Sequence, residues 1–466
     1  MHFQTPRLVI AGLAGDSGKT LISLGLARAW RNRGLEVAAF KKGPDYIDAA
    51  WLGAAVGGVG RNLDTFLMGT EGVLGALRPA AGCHVVVVEG NRGLFDGVDA
   101  AGSHSTAVLA KHMAAPVVLV VDVAKVTRTV SALVLGCQRL DPQVSLAGVI
   151  LNRVATARQE RLITEAVTAD TGLPVLGAIP RIAGADPLPS RHLGLLTAVE
   201  HPDCQEAIER AAAAVAAGVE LDRLLAVASQ APALQLPEPQ AHPRGTPVQV
   251  AVVRDEAFSF YYPENLEALE AGGAKLVTVS ALADEKIGDV QAIYIGGGFP
   301  EVHAEKLSRS RTFLRSLKDA AAAGVPVYAE CGGLMLLART LVVGEREVPM
   351  AGVLDLAVQQ FSRPQGHGYV VASVDVANPF YAVGTQLRGH EFHYSSVTAG
   401  QDRTATVVRL ERGVGLGEGR DAVVRRSVWA SYVHVHAASC PAWADGLLAA
   451  ARGVRPPVRE RVVGWA

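Results

Sequence analysis

The sequence contains few cysteines, few aromatic residues and no long apolar segment. Its five cysteines are dispersed along 466 residues without CxxC spacing, which excludes a disulfide framework and a zinc ribbon and predicts a reducing compartment. No run of about 18 apolar residues occurs, and the first residues lack the basic and apolar regions of a signal peptide. We therefore expect a cytoplasmic protein with no membrane partner.

The charge is too balanced to indicate a nucleic acid partner. The 44 basic and 45 acidic residues give a formal net charge of -1, so no summed field attracts a polyanion. Small molecules are the expected partners. With 49% hydrophobic residues, the chain is also long enough to build more than one core.

Short β-branched runs alternate with Ala- and Leu-rich stretches in two series. The runs are apolar without alternation, which predicts strands that are buried on both faces of a parallel sheet. A proline-rich segment near residue 225 separates the series. We expect two α/β domains, 1–224 and 247–466, joined by a linker at 225–246. The predicted strands lie at 8–13, 36–41, 84–89, 116–122, 146–152 and 175–180, then at 248–255, 274–280, 289–298 and 325–330.

A glycine-rich loop follows the first predicted strand and precedes a helical stretch. In "GLAGDSGKT", residues 12–20, backbone amides at the helix N-terminus can bind phosphate, the lysine adds a mobile cation, and the threonine hydroxyl can ligate Mg²⁺. The spacing departs from GxxxxGK[ST], because Leu13 occupies the place of the first glycine. The strand, loop and helix order predicts an ATP site; a turn that only packs a helix on its sheet is the alternative. We expect ATP to contact Gly12, Gly15, Asp16, Ser17, Gly18, Lys19, Thr20 and Asn152.

Carboxylates follow the next two predicted strands. Asp45 and Asp48 come after the second strand, and Glu89 and Asp96 come at or after the end of the third. Parallel strands bring these positions to one edge of the sheet, near the loop. Mg²⁺ prefers such oxygen ligands, and we expect it at Thr20, Asp45 and Glu89, with a structural cap as the alternative for Glu89. The residues expected to bind the second substrate or to take part in phosphoryl transfer are Lys42, Tyr46, Asp48 and Asp96. The sequence does not decide whether Asp45, Asp48 and Asp96 bind the metal or the substrate.

A cysteine lies at a strand-to-helix turn in the second half. The segment "VYAECGGLML", 327–336, places Cys331 between an apolar run and two glycines. Free amides and the helix dipole at such a turn stabilise a thiolate, and His434 is a candidate base for it. A small buried hydrophobic residue is the alternative interpretation of Cys331. The pattern predicts acyl transfer through a thioester, with an oxyanion or glutamine pocket formed by Gly297, Gly298 and Gly332.

Together these motifs resemble the cobyrinic acid a,c-diamide synthase family. The matching segments run through nearly the whole chain in order and include "KKGPDYIDAAWL", "RNLDTF", "VEGNRGLFDG", "YIGGGFPE", "AECGGLMLL", "RGHEFHYS" and "SYVHVH". The resemblance implies an α/β protein in which a P-loop NTPase-type domain, similar to dethiobiotin synthetase, precedes a flavodoxin-like class I glutamine amidotransferase domain. It also implies the reaction. ATP would phosphorylate the a and c acetate carboxylates of cobyrinic acid, and ammonia from glutamine would displace the phosphate on the route to cobalamin.

The resemblance also assigns residues in the second half. It places the nucleophile at Cys331 and the histidine that activates it at His434. Many amidotransferases have a glutamate two residues after this histidine, whereas this chain has His436. The roles of His436 and of the segment 388–395 are open at this point.

Alternative functions use the same motifs. Hydrogenobyrinic acid or nickel sirohydrochlorin would undergo the same reaction. A ParA-like ATPase switch that binds a partner shares the first-half architecture, but such switches place a lysine early in the loop, where this chain has Leu13 and Ala14. A scaffold with an inactive glutaminase half is disfavoured by the intact Cys-Gly-Gly turn. Either half could support a homodimer.

Overall fold

The chain forms two compact units in a computed structural model that describes residues 1–181, 190–191, 194–239 and 245–454. The units comprise Met1–Pro239 and Gln240–Ala466. None of the helices in the described ranges combines the length and hydropathy needed to span a bilayer.

The first unit extends beyond the boundary expected at residue 224. A helix spans Leu221–Ala228, and the strand Leu234–Gln235 pairs with His2–Phe3. This helix is amphipathic and buries Leu224 and Val227 in the core of the unit. Residues 225–239, which the sequence analysis assigned to the linker, therefore belong to the first unit, while 240–244 lie outside the described residues.

The elements of the first unit are consistent with the alternating pattern of its sequence. Its strands are β1 (His2–Phe3), β2 (Arg7–Gly12), β3 (Val37–Lys42), β4 (Arg61–Leu63), β5 (Val85–Glu89), β6 (Val117–Asp122), β7 (Leu146–Val154), β8 (Val175–Pro180), β9 (Ser190–Arg191), β10 (Gly194–Leu195) and β11 (Leu234–Gln235). Its helices are α1 (Lys19–Asn32), α2 (Tyr46–Val56), α3 (Thr65–Ala76), α4 (Thr106–His112), α5 (Thr129–Leu140), α6 (Ala157–Thr171), α7 (Cys204–Gly218) and α8 (Leu221–Ala228).

A seven-stranded parallel sheet forms the centre of the first unit. The strand order is β4-β3-β5-β2-β6-β7-β8, and every neighbouring pair is parallel. The predicted parallel sheet is confirmed, with β4 as an additional edge strand. The register pairs Glu89 with both Ile10 and Lys41. The C-terminal ends of β2, β3 and β5 therefore lie side by side, which brings the predicted loop and carboxylates to one edge.

The second unit contains more strands than the sequence analysis predicted. Its strands are β12 (Val248–Val253), β13 (Ala274–Val279), β14 (Ala292–Ile295), β15 (Val327–Glu330), β16 (Thr340–Val343), β17 (Arg346–Pro349), β18 (Ala357–Gln360), β19 (Gly366–Val374), β20 (Gln386–His393), β21 (Ser395–Ala399), β22 (Thr406–Arg412), β23 (Arg420–Arg425), β24 (Val428–Ser431) and β25 (His434–Val435). Its helices are α9 (Pro263–Ala271), α10 (Ala304–Arg309), α11 (Arg311–Ala322), α12 (Gly332–Leu337) and α13 (Ala442–Ala451).

A ten-stranded mixed sheet organises the second unit. Its order is β13-β12-β14-β15-β24-β23-β22-β19-β20-β25. The first five strands in this order are parallel, as predicted for β12 to β15, and the rest pair antiparallel. A separate four-stranded sheet has the order β17-β16-β18-β21.

The parallel part of this sheet is buried on both faces. Val250 and Val252 belong to one hydrophobic cluster, and Ala251 and Val253 belong to the other. Strand geometry sends alternate side chains to opposite faces, so apolar residues at consecutive positions fill two cores at once. This burial fixes the C-terminal ends of β14 and β15, from which a glycine loop and the turn at Cys331 emerge.

Candidate functional site

In the first unit, the loop between β2 and α1 has the geometry of a phosphate site. Gly18 precedes α1 with φ 91°, and a Cβ at this position would overlap the side-chain amide of Asn152. Asn152 Nδ2 donates to the Ser17 carbonyl at 2.9 Å. This contact holds the loop backbone while the free amides at the start of α1 remain available to an anion. The structure thus brings Asn152 to the loop, in contact with its backbone.

Lys19 extends back over the loop. Its Nζ donates to the Ala14 carbonyl at 2.8 Å and lies 3.4 Å from Ser17 Oγ. Gly12 leaves room for this arrangement, because a Cβ there would lie 3.1 Å from Lys19 Nζ. Burial lowers the pKa of Lys19. A cation that is partly removed from water interacts more strongly with a phosphate than a solvated one.

The outer part of the loop is open. A Cβ added at Gly15 would meet no atom within 4 Å, and Asp16 is exposed in a left-handed conformation with φ 55°. Both residues therefore lie at the solvent side of the loop, while the Lys19 and Gly18 positions form its inner side.

A buried ionic network lies beneath the loop. Thr20 Oγ1 donates to Glu89 Oε1 at 2.6 Å, and Lys41 Nζ lies 2.7 Å from the same oxygen. Lys41 also pairs with Asp48 Oδ2 at 2.6 Å. Burial alone would lower the pKa of Lys41, but the charges of Asp48 and Glu89 outweigh it and raise that pKa. Burial raises the pKa of Glu89, opposed by Lys41.

Lys41 is a residue of this site that the sequence analysis missed. It selected Lys42, whose side chain is also buried and whose pKa is lowered by burial. Because adjacent strand residues point to opposite faces, Lys41 and Lys42 cannot both face the loop. The structure shows that β3 pairs with β5 and that Lys41 is in register with Glu89, a pairing that the sequence analysis did not predict.

The other predicted carboxylates have separate positions. Asp45 caps α2, and its Oδ1 accepts from the amides of Ile47 at 2.9 Å and Asp48 at 3.0 Å. Its carboxylate reaches solvent, yet protein surrounds it closely enough that desolvation, together with the charge of Asp48, raises its pKa to about 7. Tyr46 is the first residue of α2. Asp45 and Asp48 thus adjoin the Lys41 and Glu89 network.

Asp96 lies in the loop that follows β5. Its Oδ2 accepts from the Gly93 amide at 2.8 Å, which orders the turn. The same loop is bonded to the end of β2, because the Leu94 amide donates to the Gly12 carbonyl at 2.7 Å. Asp96 is exposed and therefore adjoins the phosphate loop without joining the buried network.

Thr20 and Glu89 fit a magnesium site. Glu89 is fully buried, and its Oε2 has no hydrogen-bond partner in the part of the chain that the structure describes. A buried carboxylate oxygen beside a threonine hydroxyl is a hard-oxygen donor set. Within the described residues, no three His, Cys, Asp or Glu side chains form a set that could hold a metal alone. Mg²⁺ does not require such a set, because it keeps water and phosphate ligands.

In the second unit, Cys331 occupies a strained turn between β15 and α12. Its φ of 49° and ψ of -99° are unusual for a residue with a side chain. The Cys331 amide donates to the Ser431 carbonyl at 2.7 Å. A Cβ at Gly333 would lie 2.6 Å from the Ile295 carbonyl oxygen, so only glycine allows the helix to start this close to β14. A strained strand-to-helix turn of this kind presents a nucleophile.

A glycine loop and His434 converge on this turn. A Cβ at Gly332 would lie 3.1 Å from the Gly298 amide nitrogen, and one at Gly297 would lie 2.5 Å from Cε1 of His434. The loop after β14 therefore approaches both the residue that follows Cys331 and the imidazole. Backbone amides that lie beside a nucleophile can stabilise an oxyanion.

The pKa of the Cys331 thiol lies above its ordinary value. Burial and the charge of Glu301 raise its pKa, against a hydrogen bond from the Gly332 amide that lowers it. The expectation that the turn by itself stabilises a thiolate is wrong, because desolvation outweighs the amide and the helix terminus. Deprotonation of Cys331 therefore needs a base.

His434 lies in a cluster of buried side chains. Its Nδ1 is 3.7 Å from Glu330 Oε2, and its ring stacks on that of His390 at 4.9 Å with an interplanar angle of 17°. His436 Nε2 lies 3.4 Å from Glu264 Oε2. Burial, and the neighbouring His434 and His436, hold the pKa of His390 well below its usual value.

The segment 388–395 forms most of β20 and supports this cluster. It contributes His390, as well as Glu391, which accepts from the amides of Val414 at 2.6 Å and Gly415 at 2.8 Å. His393 stacks on Tyr432 at 3.8 Å. The contact between His390 and His434 could not be predicted from the sequence, because it depends on the antiparallel pairing of β20 with β25.

Comparison with known proteins finds relatives over both units. Residues 8–195 match the CobQ/CobB/MinD/ParA nucleotide binding domain family, and residues 249–442 match the CobB/CobQ-like glutamine amidotransferase domain family. The chain is 41% identical over 455 residues to a cobyrinate a,c-diamide synthase of Magnetococcus marinus, covering 96% of this chain and 97% of the relative. An Archaeoglobus fulgidus cobyrinate a,c-diamide synthase is 40% identical over 435 residues, or 92% and 94% of the two chains. A hydrogenobyrinate a,c-diamide synthase of Streptomyces coelicolor is 41% identical over 477 residues, or 94% and 95%.

Proposed function

Because this chain belongs to the cobyrinate a,c-diamide synthase family, we propose that it amidates the a and c acetate carboxylates of cobyrinic acid. ATP activates each carboxylate as an acyl phosphate, and glutamine supplies the nitrogen, in cobalamin biosynthesis. The observation that carries the proposal is the convergence of Gly332, Gly297 and His434 at the strained Cys331 turn, in a chain whose other unit has a phosphate loop.

Carboxylate activation is the work of the first unit. Ammonia does not displace oxide from a carboxylate, whereas it can displace phosphate, which is a good leaving group. Transfer of the phosphoryl group from ATP to the carboxylate depends on positioning and on charge stabilisation. The amides at the start of α1 and the Lys19 ammonium bind the terminal phosphates of ATP. Thr20 and Glu89 would hold Mg²⁺, with Asp45 beside them, and the ion supplies charge neutralisation at the phosphates. Lys41 pairs with both Glu89 and Asp48 and holds their side chains in place.

The second substrate contacts the residues around the phosphate loop. We assign Tyr46, Asp48 and Asp96 to binding of the acetate-bearing substrate or to phosphoryl transfer. Lys42, which the sequence analysis included, is not assigned there, because it lies on the face of β3 opposite Lys41. Asp48 follows the strand that ends at Lys42, and Asp96 lies in the loop bonded to Gly12.

Glutamine hydrolysis is the work of the second unit. His434 takes the thiol proton of Cys331, and the sulfur attacks the carboxamide carbon of glutamine. The oxyanion that forms lies against the amides of Gly298 and Gly332. His434 then gives its proton to the departing amine, which leaves as ammonia, and water hydrolyses the thioester to release glutamate and the free thiol. Ammonia attacks the acyl phosphate, and phosphate leaves as the amide forms.

Hydrogenobyrinic acid is the second candidate substrate. The Streptomyces coelicolor relative that is named for it is as similar to this chain, at 41% identity, as the Magnetococcus marinus relative named for cobyrinate. Nickel sirohydrochlorin is a further substrate to be tested. We do not propose a ParA-like switch, because that function would not account for the glutamine amidotransferase domain matched at residues 249–442.

Turnover measured by mass spectrometry tests the proposal. The purified protein receives Mg-ATP and glutamine with cobyrinic acid, hydrogenobyrinic acid or nickel sirohydrochlorin in separate reactions. We expect one of them to change by the mass difference for exchanging two hydroxyl groups for amino groups. Reactions without ATP are the control and are expected to show no change. No mass change with any of the substrates, under conditions in which ATP is bound, would refute the proposal.

The proposal also covers location and assembly. We propose a cytoplasmic enzyme, supported by five dispersed cysteines without CxxC spacing, whose partners are the corrinoid, ATP and glutamine. A homodimer is proposed from the sequence, and sedimentation of the purified protein at the mass of a single chain would refute it.

A further inference from the structure

Glu330 immediately precedes the nucleophile and is fully buried. As the last residue of β15, its Oε1 accepts from the Val435 amide at 3.2 Å, and its Oε2 accepts from the Tyr294 hydroxyl at 3.1 Å. The same Oε2 lies 3.7 Å from His434 Nδ1. Glu330 therefore contacts both the backbone of β25 and the imidazole that β25 carries.

The imidazole of His434 has two different sides. Its Cε1 and Nε2 edge faces Gly297, because a Cβ there would lie 2.5 Å from Cε1 and 3.3 Å from Nε2. Its Nδ1 faces Glu330. When Nε2 takes a proton, Nδ1 must already carry one, and a carboxylate at Nδ1 selects that tautomer.

A buried imidazolium also needs a counter-charge. His434 is 2% exposed, and a charge in such a place is costly unless it is paired. Glu330 supplies a negative charge at Nδ1, whereas the stacked His390 supplies none. Hydrogen bonds of this kind are often long before substrate binds and shorten in the reacting complex, so 3.7 Å is compatible with this role.

The strand that carries His434 is held in position from the same side. Asn265 is fully buried, and it donates from Nδ2 to the Val435 carbonyl at 2.8 Å and accepts at Oδ1 from the Ala437 amide at 2.7 Å. With the Val435 amide bound to Glu330, both backbone groups of Val435 are fixed. The imidazole therefore has little freedom to leave the Glu330 carboxylate.

We propose that Glu330 is the positioning carboxylate of His434, so that the order Cys331, His434, Glu330 replaces the arrangement with a glutamate two residues after the histidine. At that place, His436 pairs with Glu264 instead. The inference rests on the proposed function, because it takes Cys331 as the nucleophile and His434 as its base.

Glutaminase activity as a function of pH tests this inference in the full-length protein. The titratable groups around His434 are Glu330 and Cys331 from the turn, His390 from β20 and His436 from its own segment. Glu330→Gln keeps an acceptor for the Val435 amide and removes the charge. We expect kcat/KM for glutamine to fall by about 10²- to 10⁴-fold, the range for losing acid–base function or the carboxylate that orients it. The acidic limb of the profile of kcat/KM against pH should move to lower pH, because the His434 imidazolium loses its counter-charge.

Matched variants separate positioning from general damage. Glu264→Gln removes the other carboxylate of the histidine cluster and is expected to leave the acidic limb in place. Glu330→Gln should retain ATP-dependent amidation driven by ammonium salts, which reports a folded protein. If Glu330→Gln does not fold, Glu330→Asp keeps the charge one methylene further away and is expected to lower kcat with little change in KM.

The outcomes distinguish this inference from the proposed function. If Glu330→Gln keeps its acidic limb and a kcat/KM within about threefold of the parent while His434→Ala is inactive with glutamine, the role of Glu330 is refuted and the proposed function stands. An unchanged kcat in Glu330→Asp would also refute it. If Cys331→Ala and His434→Ala both retain glutaminase activity, the proposed function itself is refuted.

Discussion

Replacing Lys41 by methionine is expected to destabilise the first unit by about 3–5 kcal/mol. The Lys41 side chain is 4% exposed and lies 2.6 Å from Asp48 Oδ2 and 2.7 Å from Glu89 Oε1. Methionine fills a similar volume, so the loss is mainly electrostatic. It leaves the fully buried Glu89 carboxylate with the Thr20 hydroxyl as its remaining donor. An unpaired buried charge is costly because it cannot recover its hydration.

The cost of Lys41→Met should depend on pH. Burial already raises the pKa of Glu89, and removal of Lys41 raises it further. A carboxyl group whose pKa is higher in the folded than in the unfolded protein destabilises the fold increasingly as pH rises from its unfolded value through its folded value. We therefore expect the destabilisation to be larger near about pH 8 than near about pH 5, where Glu89 binds a proton at less cost.

Hydrogen exchange resolved by peptide is the appropriate assay, because a chain with two units does not unfold in a single two-state transition. Amides of Val85–Glu89 should lose protection by about 10²-fold or more at the higher pH, since each 1.4 kcal/mol is about tenfold. Amides of Val248–Val253 in the second unit are the internal reference. Lys42→Met is the matched control, because Lys42 is also buried, but burial outweighs the charge of Asp64 and lowers its pKa, whereas Asp48 and Glu89 raise that of Lys41. Equal losses for Lys41→Met and Lys42→Met would refute the reasoning.

Two further predictions concern the phosphate loop and the thiol. Gly18→Ala introduces a Cβ that overlaps the Asn152 amide, at a position with φ 91°. We expect the affinity for Mg-ATP, measured by calorimetry, to fall about tenfold, since the left-handed conformation alone costs about 1–2 kcal/mol. Gly15→Ala, whose added Cβ meets no atom within 4 Å, should lower the affinity less, and equal losses for the two variants would contradict this account. Because burial raises the pKa of Cys331, its alkylation by iodoacetamide in the absence of glutamine should be slow near neutral pH and should accelerate toward alkaline pH; fast, pH-independent labelling of the Cys331 peptide would contradict it.

The parallel strands and the loop were predictable because their signals are local. Continuous runs such as Val85–Val88 can only be strands buried on both faces, and parallel pairing then brings their C-terminal ends together. The turn at Cys331 was predictable for a similar reason, since a strand followed by two glycines leaves few conformations. These signals were sufficient to locate the phosphate loop, Glu89 and Cys331.

The remaining features depend on pairing between distant segments. The antiparallel strands Gly366–Val374 and Gln386–His393 are partly exposed and lack a continuous apolar run, so their contribution of His390 to the cluster was not visible. Lys41 was missed because neighbouring lysines differ only in the face of β3 that they occupy. Glu330 was missed because a residue next to the nucleophile in sequence is not obviously a partner of a histidine 104 positions later.

The most direct test of the central claim compares nitrogen sources for Cys331→Ala. With cobyrinic acid and Mg-ATP, the parent protein should form the diamide with either glutamine or ammonium salts, as followed by the mass of the product. The variant should fail with glutamine and retain activity with ammonium, because the thiol is needed only to release ammonia. Diamide formation by Cys331→Ala with glutamine, or loss of activity with both nitrogen sources in a folded variant, would contradict the account.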